Sequence, residues 1–170
     1  MKWIKLGGIY LAMFLFTTAC TNMCSKGHMD MSPEDVVEAY LDIAFGMTDV
    51  SQRIDLARYT TGLLRSEILS VKDEVIRKAY IDRKYKLLSY AVVERQDRTP
   101  KEVEVTFQLS FKVLGDAGNL TPEAKAPTMN NENTVRVIKV NQKWMIDEVL
   151  GKKTTIDFPV NPEDVITPDP

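Results

Sequence analysis

The chain has one histidine, two cysteines and almost no excess of either charge. Each shortage excludes something. Twenty-two Lys and Arg against twenty-four Asp and Glu leave a net charge of -2, so no basic field exists to hold a polyanion and nucleic acid is excluded as a partner. The thiols, Cys20 and Cys24, both precede the first predicted helix; no disulfide can staple the core, and their spacing matches no redox motif. The lone histidine, His28, lies in the same polar stretch, which excludes a His-based site inside the domain. The longest apolar run, residues 9–16, is shorter than the ~20 residues that span a bilayer. No internal repeat is visible. What remains, 170 residues of which 44% are hydrophobic, describes one globular domain with appendages.

The strongest local signal is residues 103–113. Val103, Val105, Phe107, Leu109, Phe111 and Val113 alternate with Glu, Thr, Gln, Ser and Lys. Successive side chains of a strand point to opposite faces, so this segment is predicted as a strand with one apolar face. Burying those six side chains stabilises the fold by about 10–15 kcal/mol before chain entropy is subtracted, an upper bound.

Helices precede it. Ser32 as cap, Pro33 at the first helical position and Asp35 three residues after the cap open a helix whose stripe is Val36, Val37, Tyr40, Leu41, Ala44 and Phe45. Residues 51–83 read as broken helices, interrupted at Gly62 and recapped at Asp73, with a mildly basic solvated face. Residues 85–93 read as a strand partly buried on both sides, joined by a turn at 97–100 into an antiparallel hairpin with the 103–113 strand. The polar stretch 115–133 is expected to be a lid or disordered. Two further strands, 135–140 and 144–149, are joined by a two-residue turn at Asn141 and Gln142, with a short edge piece at 154–158.

The ends carry an address and a tail. Lys2 and Lys5, the apolar run and Thr17-Thr18-Ala19 before Cys20 resemble the signal and lipobox of bacterial lipoproteins. The resemblance implies cleavage at residues 1–19, a lipidated (palmitate-bearing) Cys20 holding the protein in the membrane, and, with Thr21 rather than Asp next, an outer-membrane address facing periplasm or surface. Plain secretory cleavage elsewhere is the alternative. Residues 20–31 then form a flexible tether, residues 32–158 the domain, and residues 159–170 a proline-rich acidic tail.

Helices first and an antiparallel meander after them give an α+β fold, N-terminal helices packed on a curved four-stranded antiparallel sheet. The capped first helix, the Val103 strand and Asn141-Gln142-Lys143-Trp144 resemble the nuclear-transport-factor-2-like (cystatin-like) superfamily, although Gln142 stands where that family usually has Gly. The resemblance implies a cone with an apolar mouth, for which Tyr40, Phe107, Phe111 and Trp144 are the candidate lining residues; the alternative is that they fill it completely as a core without a cavity. Three functions follow. The first is a cell-envelope binding module for a small apolar ligand or an envelope protein, with no cofactor and no enzymatic activity. The second is an isomerase or dehydratase with a base from Asp42, Asp55 or Asp82 and a donor from Tyr40, Tyr59, Tyr80, Tyr85 or Tyr90. The third is soft-metal (copper) binding by Met23, Cys24, His28, Met29 and Met31. The expectation is the binding module, with no metal site in the domain.

Overall fold

The computed structural model describes Gly27, His28 and residues 30–159. The expected signal, lipidation site and most of the tail therefore lie outside the described residues. Helix α1 (Pro33–Gly46) begins as its sequence dictates: the Ser32 hydroxyl accepts from the Asp35 amide at 3.1 Å, and the Asp35 carboxylate accepts from the Ser32 amide at 2.8 Å. Short helices follow: α2 (Arg53–Arg58), α3 (Gly62–Ser70) and α4 (Asp73–Ile76), the last running into a π-helical turn, Arg77–Asp82. Asp73 is the first residue of α4 rather than its cap, because the Ile76 amide already donates to the Lys72 carbonyl at 3.2 Å, one residue earlier.

The sheet is antiparallel in the order β1 (Arg83–Thr99), β2 (Glu102–Asp116), β4 (Thr128–Val140), β5 (Lys143–Asp157), and a two-residue β3 (Asn119–Leu120) pairs with the end of β2. The α+β class is thus as expected, helices packed on a curved antiparallel sheet, with a minor fifth strand added. Val103, Val105, Phe107, Leu109 and Phe111 are all buried, as alternation predicts, and they meet Val36, Val37 and Leu41 of α1. Val135 and Val137 of β4 and Ile146 of β5 complete that core. Met47, Leu56 and Ile76 form a second cluster under the short helices. The helical layer is laced to β5 by backbone bonds, Thr61 N–H to the Ile146 carbonyl at 2.9 Å and Ile146 N–H to the Tyr59 carbonyl at 2.8 Å.

Asn141 and Gln142 form the expected turn, both at positive φ (49° and 68°). Four other expectations are corrected. Strand β1 is not buried on both sides: Leu87, Leu88, Val92 and Val93 are exposed, because β1 is an edge strand beyond most of the helical cover. The turn into β2 is Pro100-Lys101, since Thr99 still pairs with Glu102. The segment 115–133 is neither lid nor disordered; it contains β3, a turn closing on buried Ala126, and the first half of β4. The edge piece at 154–158 is the end of one continuous β5.

Candidate functional site

Paired residues of an antiparallel sheet share a face, so each inward row can be read across it. One row is Val92, Phe107, Asn133, Lys152; the next is Tyr90, Leu109, Asn131, Thr154. Under α1 these rows stop being wholly apolar. Asn131 and Asn133, both buried, turn toward the space below the helix. The result is a cavity of about 310 Å³, walled by Tyr40 and Leu41 of α1, Phe107 and Leu109 of β2, and the two asparagines, with Tyr80, Leu64 and Lys152 at its margins. A second lobe of about 320 Å³, lined by Phe45, Tyr85 and Phe111, shares Ala44, Tyr80 and Lys152 with the first. Phe45, Tyr85 and Phe111 meet edge to face, with centroids 5.5–6.3 Å apart.

The polar groups of the cavity have clear states. Burial, and next to it the neighbouring Tyr80 hydroxyl, hold Tyr40 well above the usual phenol range, and burial also pushes Tyr80 up. Both rings therefore present neutral hydroxyls at physiological pH. The Asn131 carboxamide oxygen is buried, and no group among the described residues donates to it. Lys152 is exposed and makes no salt bridge among the described residues. Among the described residues no carboxylate and no imidazole lines either lobe. The arrangement can hold an apolar body and hydrogen-bond it; it offers no group poised to take a proton.

Of the predicted lining residues, Tyr40 and Phe107 wall the first lobe and Phe111 the second. Trp144 lies at the β4–β5 turn, with the Lys139 ammonium 5.4 Å from its ring centroid. Its carbonyl accepts from His28 Nε2 at 3.2 Å, and the His28 ring sits 5.0 Å from that of Tyr59. His28 and Met31, expected in a mobile tether, thus pack on the domain. Met23, Cys24 and Met29 of the copper reading lie outside the described residues, and among the described ones no three His, Cys, Asp or Glu side chains gather. The candidate bases do not reach the cavity: Asp42 is exposed, Asp55 pairs with Arg58 at 3.0 Å, and Asp82 lies by Asp116 in a separate surface hollow. Tyr90 packs its ring 5.8 Å from Phe107; burial, and then Glu38, Glu34 and Asp42, push its hydroxyl up to about 12.

A larger hollow, about 510 Å³, lies on the opposite face of the sheet. Some of its polar groups are engaged with neighbours, Gln108 with Glu132 at 3.0 Å and Asn130 with Asp157 at 2.6 Å, and it lacks an apolar floor of comparable extent. The inner cavity is the better candidate. Asn131, Asn133 and Lys152 were not foreseen as site residues. Continuing the period of two backward from Val137 and Val135 to Asn133, Asn131 and Met129 is the signal that finds the first two.

No family model matches the chain, and no curated protein matches it. Solved structures do. The chain is similar to the intermembrane space region of the chloroplast protein ARC6 (TM-score 0.49, 14% identity, 75% of this chain and 98% of that one). It is also similar to CagV of Helicobacter pylori, a VirB8 homolog of a type IV secretion system (TM-score 0.46, 12% identity, 72% and 97%). A third is an Ntf2-like protein involved in plasmid conjugation (TM-score 0.40, 12% identity, 76% and 51%). Likenesses at this level describe a chain path and nothing about ligands. The α+β fold rests on the topology described above.

Proposed function

We propose that the protein is a lipid-anchored lipoprotein of the bacterial cell envelope whose domain binds a small apolar ligand in the cavity beneath α1. One observation carries the binding reading: the inner face of the sheet gives up apolar packing at Asn131 and Asn133 where it could have closed a dry core, leaving about 310 Å³ between α1 and the sheet. A wall of Tyr, Leu and Phe suits a ligand with a largely apolar body, and the two carboxamides can hydrogen-bond its polar end. The isomerase reading is set aside because Asp42, Asp55 and Asp82 all stand away from the cavity. The anchor rests on the sequence before Cys20.

Two measurements test this. Leu109→Trp, which fills the first lobe, should abolish saturable binding of a neutral probe such as octan-1-ol, followed through the methyl resonances of Leu41 and Val135. Binding that survives the filled lobe places the ligand elsewhere. Mass spectrometry of the protein from bacterial membranes should find an acylated Cys20 at the amino terminus, and an intact Met1 or cleavage past Cys20 refutes the anchor.

A further inference from the structure

We propose that the natural ligand is an amphipathic carboxylate: an apolar body lying in the two lobes, with its anionic group held by Lys152, where the lobes adjoin, and by Asn131 of the first lobe. This deepens the binding function proposed above and rests on it. The two lobes, about 310 and 320 Å³, share Ala44, Tyr80 and Lys152 among their walls. They therefore adjoin at these three residues and together line one apolar trough. Among the described residues Lys152 is the one cation lining either lobe, and no acid there lines them to neutralise it. Its place is fixed by the sheet, since Lys152 pairs with inward Asn133 and so shares the inward face.

Asn131 is a second and independent mark. Its side chain is about nine-tenths buried on the wall of the first lobe, and its oxygen has no donor among the described residues. Having no bond at that oxygen to lose, the carboxamide can rotate about χ2 and offer its NH₂ to an occupant. The Tyr80 hydroxyl, kept protonated by burial, stands where the lobes meet. An ammonium, an amide N–H and a phenol O–H lining the first lobe, with no acid there among the described residues, favour an anion over a neutral or cationic head. An apolar trough favours a hydrocarbon body.

The test titrates the full chain, in non-ionic detergent, with octanoate and with octan-1-ol, reading the methyl resonances of Leu109 and Val135. Comparing variants with one probe cancels partition into micelles. Lys152 is exposed at the edge of the core and makes no salt bridge among the described residues, so Lys152→Met should fold normally. Octanoate should shift the resonances saturably, and Lys152→Met should weaken it about five- to tenfold, as expected for an ion pair at a half-covered mouth. Lys152→Arg should restore most of the affinity, and octan-1-ol should change less than about twofold throughout. If Lys152→Met leaves octanoate unchanged, or weakens both probes alike, the carboxylate assignment is overturned while the binding cavity stands. If neither probe moves the resonances of the folded wild-type protein, the cavity reading falls and this inference with it.

Discussion

Replacing Asn131 by leucine should make the protein more stable, an unusual expectation for a buried position. The side chain is 9% exposed, and its carboxamide oxygen is inaccessible and lacks a donor among the described residues. A buried carbonyl left without a donor costs about 1–3 kcal/mol, and an apolar side chain of similar shape removes that cost. Its cross-strand neighbours, Leu109 and Thr154, and the adjoining cavity leave room for the branched end. The expected gain is about 1–3 kcal/mol, or roughly 4–10 °C in Tm. Urea unfolding followed by circular dichroism should show a higher midpoint with an unchanged slope. Asn133→Leu is the control: Asn133 is equally buried, yet its polar atoms are not stranded in the same way, so its gain should be clearly smaller. A stability gain at 133 matching that at 131, or none at 131, refutes the reasoning, because generic hydrophobicity or a relaxed carboxamide would then explain the data.

Three further outcomes follow from backbone and burial. Gln142→Gly should stabilise by about 0.5–1 kcal/mol in thermal unfolding, since Gln142 sits at φ 68°, where only glycine escapes the Cβ clash. Gly62→Ala should destabilise by about 2 kcal/mol: φ is +57°, and the new Cβ would lie 2.8 Å from Asp147 Oδ1, which belongs to the carboxylate that Arg136 holds at 2.7 Å. Adding Asp147→Ala should relieve the contact but not the φ strain. In alkali, the Tyr90 phenol is held up to about 12, and Tyr40 and Tyr80 are also raised, so the folded state keeps protons that the unfolded chain releases near pH 10. Their contribution is complete below pH 10 and is lost as pH climbs through about 12. Absorbance at 295 nm should show these rings ionising only as the protein unfolds, and a Tyr90 that ionises near pH 10 in the intact fold would contradict the burial.

The legible parts of the fold were those where one physical requirement acted alone. Strand β2 lies at the centre with helix on one face and water on the other, so its sequence alternates without a slip from residue 103 to residue 113. The opening of α1 is equally local, a cap and its reciprocal carboxylate. Elsewhere two requirements overlapped. Along β1, Leu87 faces Phe111 but Tyr90 faces Leu109, so three residues span the distance of two. The same slip recurs in β5, where Ile146, Val149 and Lys152 face Val137, Val135 and Asn133. Each extra residue flips the phase of every later side chain, which makes a one-faced strand read as apolar on both sides and places Lys152 in the trough without any sequence signal. The first half of β4 escaped for another reason. Its inward positions at 131 and 133 look into a cavity rather than a core, so the polarity that signals loop elsewhere here marks the site.

Those slips in β1 also shape how the molecule meets its own kind. A foreign strand docking on a sheet needs an uninterrupted run of main-chain donors and acceptors at the two-residue repeat. The outermost strand is seventeen residues long and carries bare Leu87, Leu88, Val92 and Val93, the profile of a template for stacking. Its pairing with β2 shifts four times, and no regular stretch exceeds four residues, 89–92 and 94–97 being the longest. An incoming chain would find at most two outward-facing residues in step on any stretch. The kinks in this strand therefore leave a long greasy margin poorly suited to pairing with a second chain, and straightening them by deletion should make the protein more prone to aggregate.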